Sequence, residues 1–86
     1  MKEYTVIWWQ AADDELARLW LDSSDRAQIT EAARGIDLWL SRQGASAGKE
    51  IHEGLCALEV DPLRVQYSVE QDDRTIRVWT VRLVSP

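Results

Sequence analysis

Apolar and polar positions alternate most cleanly over residues 63–70 (LRVQYSVE). Leu63, Val65, Tyr67 and Val69 share one parity, and Arg64, Gln66, Ser68 and Glu70 share the other. A period of two marks a strand with one covered face. Residues 54–60 and 75–84 read as strands on either side of it, joined through an Asp61-Pro62 turn and a tight loop at 71–74. In the last strand the apolar phase changes. Ile76 and Val78 lie on one parity, and Trp79, Val81 and Leu83 on the other, which predicts a bulge or cover on both faces. At the other end of the chain, residues 4–9 (YTVIWW) are β-branched and aromatic and read as a first strand.

Between these strands the period becomes helical. Ala11-Ala12-Asp13-Asp14-Glu15 opens a helix, its three acids complementing the positive end of the dipole, and Leu16, Leu19 and Trp20 follow as a buried stripe. Ser23-Ser24-Asp25 breaks the pattern. Asp25 caps a second helix that runs to about Arg42, with Gln28 placed for a capping-box pair. Ile29, Ala32/Ala33, Ile36 and Trp39/Leu40 form its core stripe, and Glu31, Arg34, Asp37 and Ser41 its solvated face. Leu38 falls off the stripe and is an exposed apolar contact. Residues 43–48 (QGASAG) read as a loop. The expectation is an α+β fold of order β-α-α-β-β-β. A four-stranded sheet, antiparallel through strands two to four, packs on one face against a helix hairpin, with Trp39 and Trp20 in the core.

An 86-residue chain makes one small domain, spanning 1–86. It buries only about 60% of its unfolded surface, so a partner is easily needed. No apolar run reaches membrane-spanning length, and MKEYTVIWW lacks the h-region of a signal peptide, so a cytoplasmic protein is expected. Ten Lys and Arg against fifteen Asp and Glu give a net charge of −5, which argues against a nucleic acid gripped over a broad basic face. The single cysteine, Cys56, and the single histidine, His52, are too few for a zinc site. Cys56 reads as a small buried hydrophobe, and His52 as a residue of the loop-to-strand region without catalytic company. Asp13-Asp14-Glu15 reads as a helix start rather than a metal cluster, so neither metal nor cofactor is expected. Of five tryptophans, Trp9 and Trp79 are the surface candidates, suited to protein contact.

The segments DPLRVQYSV and RTIRVWTV, within the order above, resemble the C-terminal sheet of the RelE/ParE toxin superfamily, and YTVIWWQAADDEL resembles its opening strand and helix. The resemblance implies the toxin component of a two-gene toxin–antitoxin module of the plasmid-stabilising kind, with a cognate antitoxin as partner. The further target would be ribosome-bound messenger RNA (RelE-like) or DNA gyrase (ParE-like), and a homodimer is left open. Residue by residue, Arg64 in PLRVQY matches the strand-three arginine of RelE-like members, and Arg82 is the basic residue left near the end of the last strand. Ala57 and Glu59 stand where those members carry lysines, and Leu83 where their late acid/base region begins. RelE-type cleavage is therefore not expected. Arg64 is either a phosphate-facing group or the partner of Glu59 or Glu70, and Arg77 and Arg82 read as cross-strand partners of acids. Trp9, Leu38 and Trp79 are the candidate partner-binding residues. The alternatives are an endoribonuclease with an unusual site around Arg64 and Arg82, and a non-toxic interaction module that keeps the fold.

Overall fold

The first strand, β1 (Thr5–Trp8), passes directly into α1 (Gln10–Asp22). Ser23–Asp25 reverses the chain, and the Asp25 carboxylate accepts the Gln28 backbone N–H at 3.1 Å to start α2 (Arg26–Gln43). Gly44 ends α2 with a φ of 58°, a left-handed value that glycine adopts without a Cβ penalty. A 3-10 turn (Gly44–Ala47) leads to β2 (Lys49–His52), β3 (Leu55–Val60), β4 (Leu63–Glu70) and β5 (Thr75–Leu83). The structure is a computed structural model, in which residues 3–84 are described.

The five strands form one sheet in the order β1-β5-β4-β3-β2. β2 to β5 are antiparallel neighbours, and β1 runs parallel to β5. The α+β class, the antiparallel meander and the helix hairpin match the expectation. The strand count does not, because the sheet has five strands rather than four. All four residues of β2 are exposed, and with no apolar alternation the sequence predicts no separate strand in this loop-to-strand region. Backbone pairing to β3 makes it a strand.

The parity of β4 sets the core. Leu63, Val65 and Tyr67 are fully buried, as are Ile76 and Val78 on β5. Over that face lie Ala12 and Leu19 of α1 and Ile29, Ala32, Ile36 and Leu40 of α2. Burying each large side chain contributes about 1.5–3 kcal/mol. The phase change in β5 is a bulge. Gln66 pairs with Thr80 and Tyr67 with Val78, leaving Trp79 unopposed, and this returns Val81 to the buried face.

The expectation for Trp39 and Trp20 is corrected. Trp39 is 48% exposed and Trp20 38% exposed. On α2 the positions that face the sheet are 29, 32, 36 and 40, and Trp39 stands about 100° round the helix from Leu40. Trp20 lies at the rim, where its indole N–H donates to Thr30 Oγ1 at 3.2 Å and the Arg26 guanidinium covers the ring at 4.7 Å. An indole keeps its polar edge satisfied there at lower cost than in an apolar core.

Candidate functional site

The sheet face away from the helices is polar by the same alternation. Glu59 of β3, Arg64 of β4 and Arg82 of β5 are neighbours in one rung, since Glu59 pairs with Arg64 and Arg64 with Arg82. Arg64 Nη1 donates to Glu59 Oε2 at 2.8 Å, while Arg64 Nε is buried and has no hydrogen-bond partner among the described residues. Further along, Arg77 pairs with Glu70 at 2.5 Å. Glu59, Arg64, Arg82, Leu83 and Val84 line a half-open cavity of about 180 Å³. A wider cleft of about 620 Å³ adjoins it, with Arg64, Glu59, Ala57 and Lys49 among its walls. The structure thus brings the two candidate catalytic arginines, Arg64 and Arg82, together on a face that also carries the acid. Ala57 and Glu59, the departures from the basic pattern, both lie on this face.

The three candidate partner contacts divide. Trp9 and Trp79 meet on the polar face with ring centroids 5.1 Å apart and planes tilted by 50°. Trp9 is 48% exposed, and the Trp79 indole N–H donates to Ser68 Oγ at 2.8 Å. Leu38 lies across β1, in a depression shared with Val6, Trp8 and Ser41, where Trp8 Nε1 donates to Asp37 Oδ1 at 2.7 Å.

One surface had not been read from the sequence. Along the outer side of the helix hairpin runs a groove of about 610 Å³ with Leu16, Ala17, Trp20, Leu21, Ile29 and Ala33 in its floor and walls. Asp13, Asp14 and Asp37 stand at its margin, together with Arg34. The depression beside Leu38 shares Arg34 and Asp37 with this groove, so two apolar patches adjoin across a charged pair. The signal available in the sequence was weak: small residues at 17 and 33, and Leu21 beyond the first stripe.

Behind the wide cleft the Tyr67 side chain, fully buried, ties the 3-10 turn to the sheet. Its hydroxyl accepts the Gly48 N–H at 2.9 Å and lies 3.3 and 3.2 Å from the Gly44 and Ala45 carbonyl oxygens. Burial and the neighbouring Cys56 push this phenol up to about 12. Burial likewise raises the Cys56 thiol, with the Glu50 charge adding to it. Gly48 is required by close approach, because a Cβ there would stand 2.1 Å from the Ala57 carbonyl oxygen. Cys56 is buried as expected, and His52 is an exposed residue of β2. Among the described residues no three His, Cys, Asp or Glu side chains cluster as a metal site. The acids at the start of α1 are engaged locally, Asp14 with Gln10 and Glu15 with Arg18, whose guanidinium holds the Glu15 carboxyl below its usual range. No helix among the described residues is long and apolar enough to cross a membrane.

No protein-family profile matches the chain, and no curated protein sequence does. Solved structures do match. The chain is similar to a chain of the Mycobacterium tuberculosis toxin–antitoxin complex RelBE2, with a TM-score of 0.81 at 19% identity, covering 100% of this chain and 97% of that one. It is similar to a chain of the chromosomal ParDE toxin–antitoxin system from P. aeruginosa, with a TM-score of 0.66 at 16% identity, covering 95% and 97%. The isolated E. coli RelE toxin gives a TM-score of 0.62 at 15% identity over 96% and 86%. Superposition over almost the whole of both chains makes this the RelE/ParE fold.

Proposed function

We propose that this chain, which has the RelE/ParE fold, is the toxin-side member of a toxin–antitoxin pair and works by binding a cognate antitoxin along its helix hairpin. The observation that carries the reading is the apolar groove at Leu16, Trp20 and Leu21 with the adjoining patch at Leu38, bordered by three acids, Asp13, Asp14 and Asp37, against one base, Arg34. Exposed apolar surface of this extent on a small protein marks an interaction site. Its acidic margin favours a partner segment that is amphipathic and basic, since opposite potentials steer encounter and reject wrong partners. Structures of the same fold that are toxin–antitoxin complexes support a partner of this kind. The same reading makes the protein a cytoplasmic toxin of the plasmid-stabilising type.

Co-expression with a neighbouring small gene, followed by capture through a tag on this chain, tests the proposal. A stable stoichiometric complex is expected. Leu21→Glu, at a position 60% exposed, should leave the fold intact and abolish capture. If Leu21→Glu captures the partner as well as the parent does, the groove is not the site. A free chain that sediments as a dimer until the same substitution is made would assign the groove to a second copy instead.

For the downstream activity, the proposal is that RelE-type cleavage is absent, so that the intrinsic activity is lost, altered or directed at gyrase. Its support is the neutral and acidic pair Ala57 and Glu59 beside Arg64. Ribosome-bound messenger RNA should stay intact in the presence of the protein. The endoribonuclease reading has one observation in its favour, the Arg64 Nε, which has no hydrogen-bond partner among the described residues. Codon-specific cuts that vanish in Arg64→Ala would establish it.

A further inference from the structure

The rung Glu59–Arg64–Arg82 has an unusual charge order. Two arginines oppose each other directly on adjacent strands, where side chains stand about 5 Å apart and like charges repel. Glu59 offsets this from one side only, through Nη1 of Arg64. A guanidinium presents five N–H donors in a planar fork suited to two oxygens of an oxyanion. Here one edge of that fork, at Nε, is buried and unpartnered among the described residues. The cavity bounded by both arginines and by Glu59 is about 180 Å³. A cavity of that size holds several waters, at about 10–15 Å³ of such volume for each, and so admits a phosphoryl group.

The same face holds the other component of a single-strand site. Trp79 is three residues from Arg82 on β5, about 10 Å at ~3.3 Å per residue. With the exposed Trp9 ring against it, it offers an aromatic platform of the kind on which bases stack. Cations beside stacking aromatics form the usual single-strand groove, yet here the acids Glu59 and Glu70 occupy Arg64 and Arg77.

We propose that Glu59 masks a phosphate site formed by Arg64 and Arg82, its carboxylate standing where a phosphodiester oxygen would bind, and thereby keeps this face from taking single-stranded nucleic acid. A phosphate must displace the Glu59 carboxylate from Arg64 and enter against its charge. The cost falls on the polyanion alone, so a protein partner on the helix side of the molecule is unaffected.

The test is fluorescence anisotropy of a labelled single-stranded oligoribonucleotide at low salt, titrated with the full chain and its variants. The parent should show only weak, non-saturating binding. Glu59→Gln should bind at least about ten-fold tighter, the change one charge-assisted contact supplies. The gain should fall with added salt, and it should disappear in Glu59→Gln combined with Arg64→Ala. Glu59→Ser provides a second unmasked variant should the glutamine perturb β3, with thermal melting as the check on folding. Glu31→Gln, the same charge change on the exposed face of α2, controls for net charge and should gain little. Three results would overturn the mask: tight binding by the parent, equal gains in Glu59→Gln and Glu31→Gln, or a gain that survives Arg64→Ala. Capture of the protein partner by Glu59→Gln, measured in parallel, should match the parent. Its loss would count against the helix-side partner reading and leave the anisotropy result to judge the mask.

Discussion

At the scale of single residues, the Tyr67 hydroxyl makes a local contribution that one substitution isolates. Its hydroxyl is the partner of the Gly48 N–H and lies against two carbonyls of the 3-10 turn. Tyr67→Phe keeps the ring in the core but leaves that N–H unpaired, and should cost about 1–3 kcal/mol in a denaturant titration. The phenol also makes stability depend on alkaline pH. Its folded value, about 12, lies above its ordinary value of 10.0, so the folded state holds the proton longer than the unfolded chain. The contribution is complete below pH 10 and is lost as pH rises from there through about 12. Melting temperature should fall more steeply over that window in the parent than in Tyr67→Phe, and parallel slopes would remove Tyr67 as the cause. Trp39 makes the opposite case. Its ring is half in water, so Trp39→Ala should cost far less than Ile36→Ala, for which a fully buried isoleucine predicts about 2–5 kcal/mol. Equal losses would return Trp39 to the core.

At the scale of elements, the helix hairpin depends on its turn. Asp25 accepts the Gln28 N–H, and Arg26 donates to the Trp20 and Leu21 carbonyls at the end of α1. Asp25→Ala should therefore cost about 1 kcal/mol, within the ~0.5–2 typical of a lost cap, and urea titration would show it as a lower midpoint at unchanged slope. The cap could be read from the sequence because Ser23-Ser24-Asp25 separates two periodic segments. The α2 stripe was legible too, since Ile29, Ala32, Ile36 and Leu40 recur at helical spacing and all are buried. For the last position spacing alone admits Trp39 or Leu40, and only the direction of the sheet chooses between them. β2 escaped notice for a related reason. An edge strand with both faces in solvent carries no hydrophobic alternation, and its evidence is the hydrogen bonding to β3.

At the scale of the whole molecule, stability should be uneven. β4 and β5 are flanked on both sides and carry the fully buried residues, while β1 and β2 each have one free edge. Native-state hydrogen exchange should find the slowest amides in β4 and β5 and the fastest strand amides in β2. Protection of β2 equal to that of β4 would contradict this order. The two proposed surfaces lie on opposite sides of the sheet, with the core between them. The polar face carries Arg64 and Arg82, and the helix hairpin carries the apolar groove. Partner binding and anion binding should therefore respond to different substitutions.

The sequence by itself determined the α+β class, the order of six of the seven principal elements and the polar parity on which Arg64 stands, while the phase change in β5 left a bulge and a doubly covered strand both open until the register with β4 decided for the bulge. Each is encoded in a local period or a local cap, and a local signal needs no knowledge of what lies across the fold. It also identified Arg64 and Arg82 as a pair worth weighing. Which side of that pair Glu59 engages, the meeting of Trp9 with Trp79, and the separation of Leu38 from both were decided only by the tertiary structure. These depend on strand register and on β1 returning parallel to β5, across some seventy residues of chain. The helix groove likewise exists only once α1 and α2 have turned their buried stripes to the sheet, leaving Trp20, Leu21 and Leu38 exposed on the outer side.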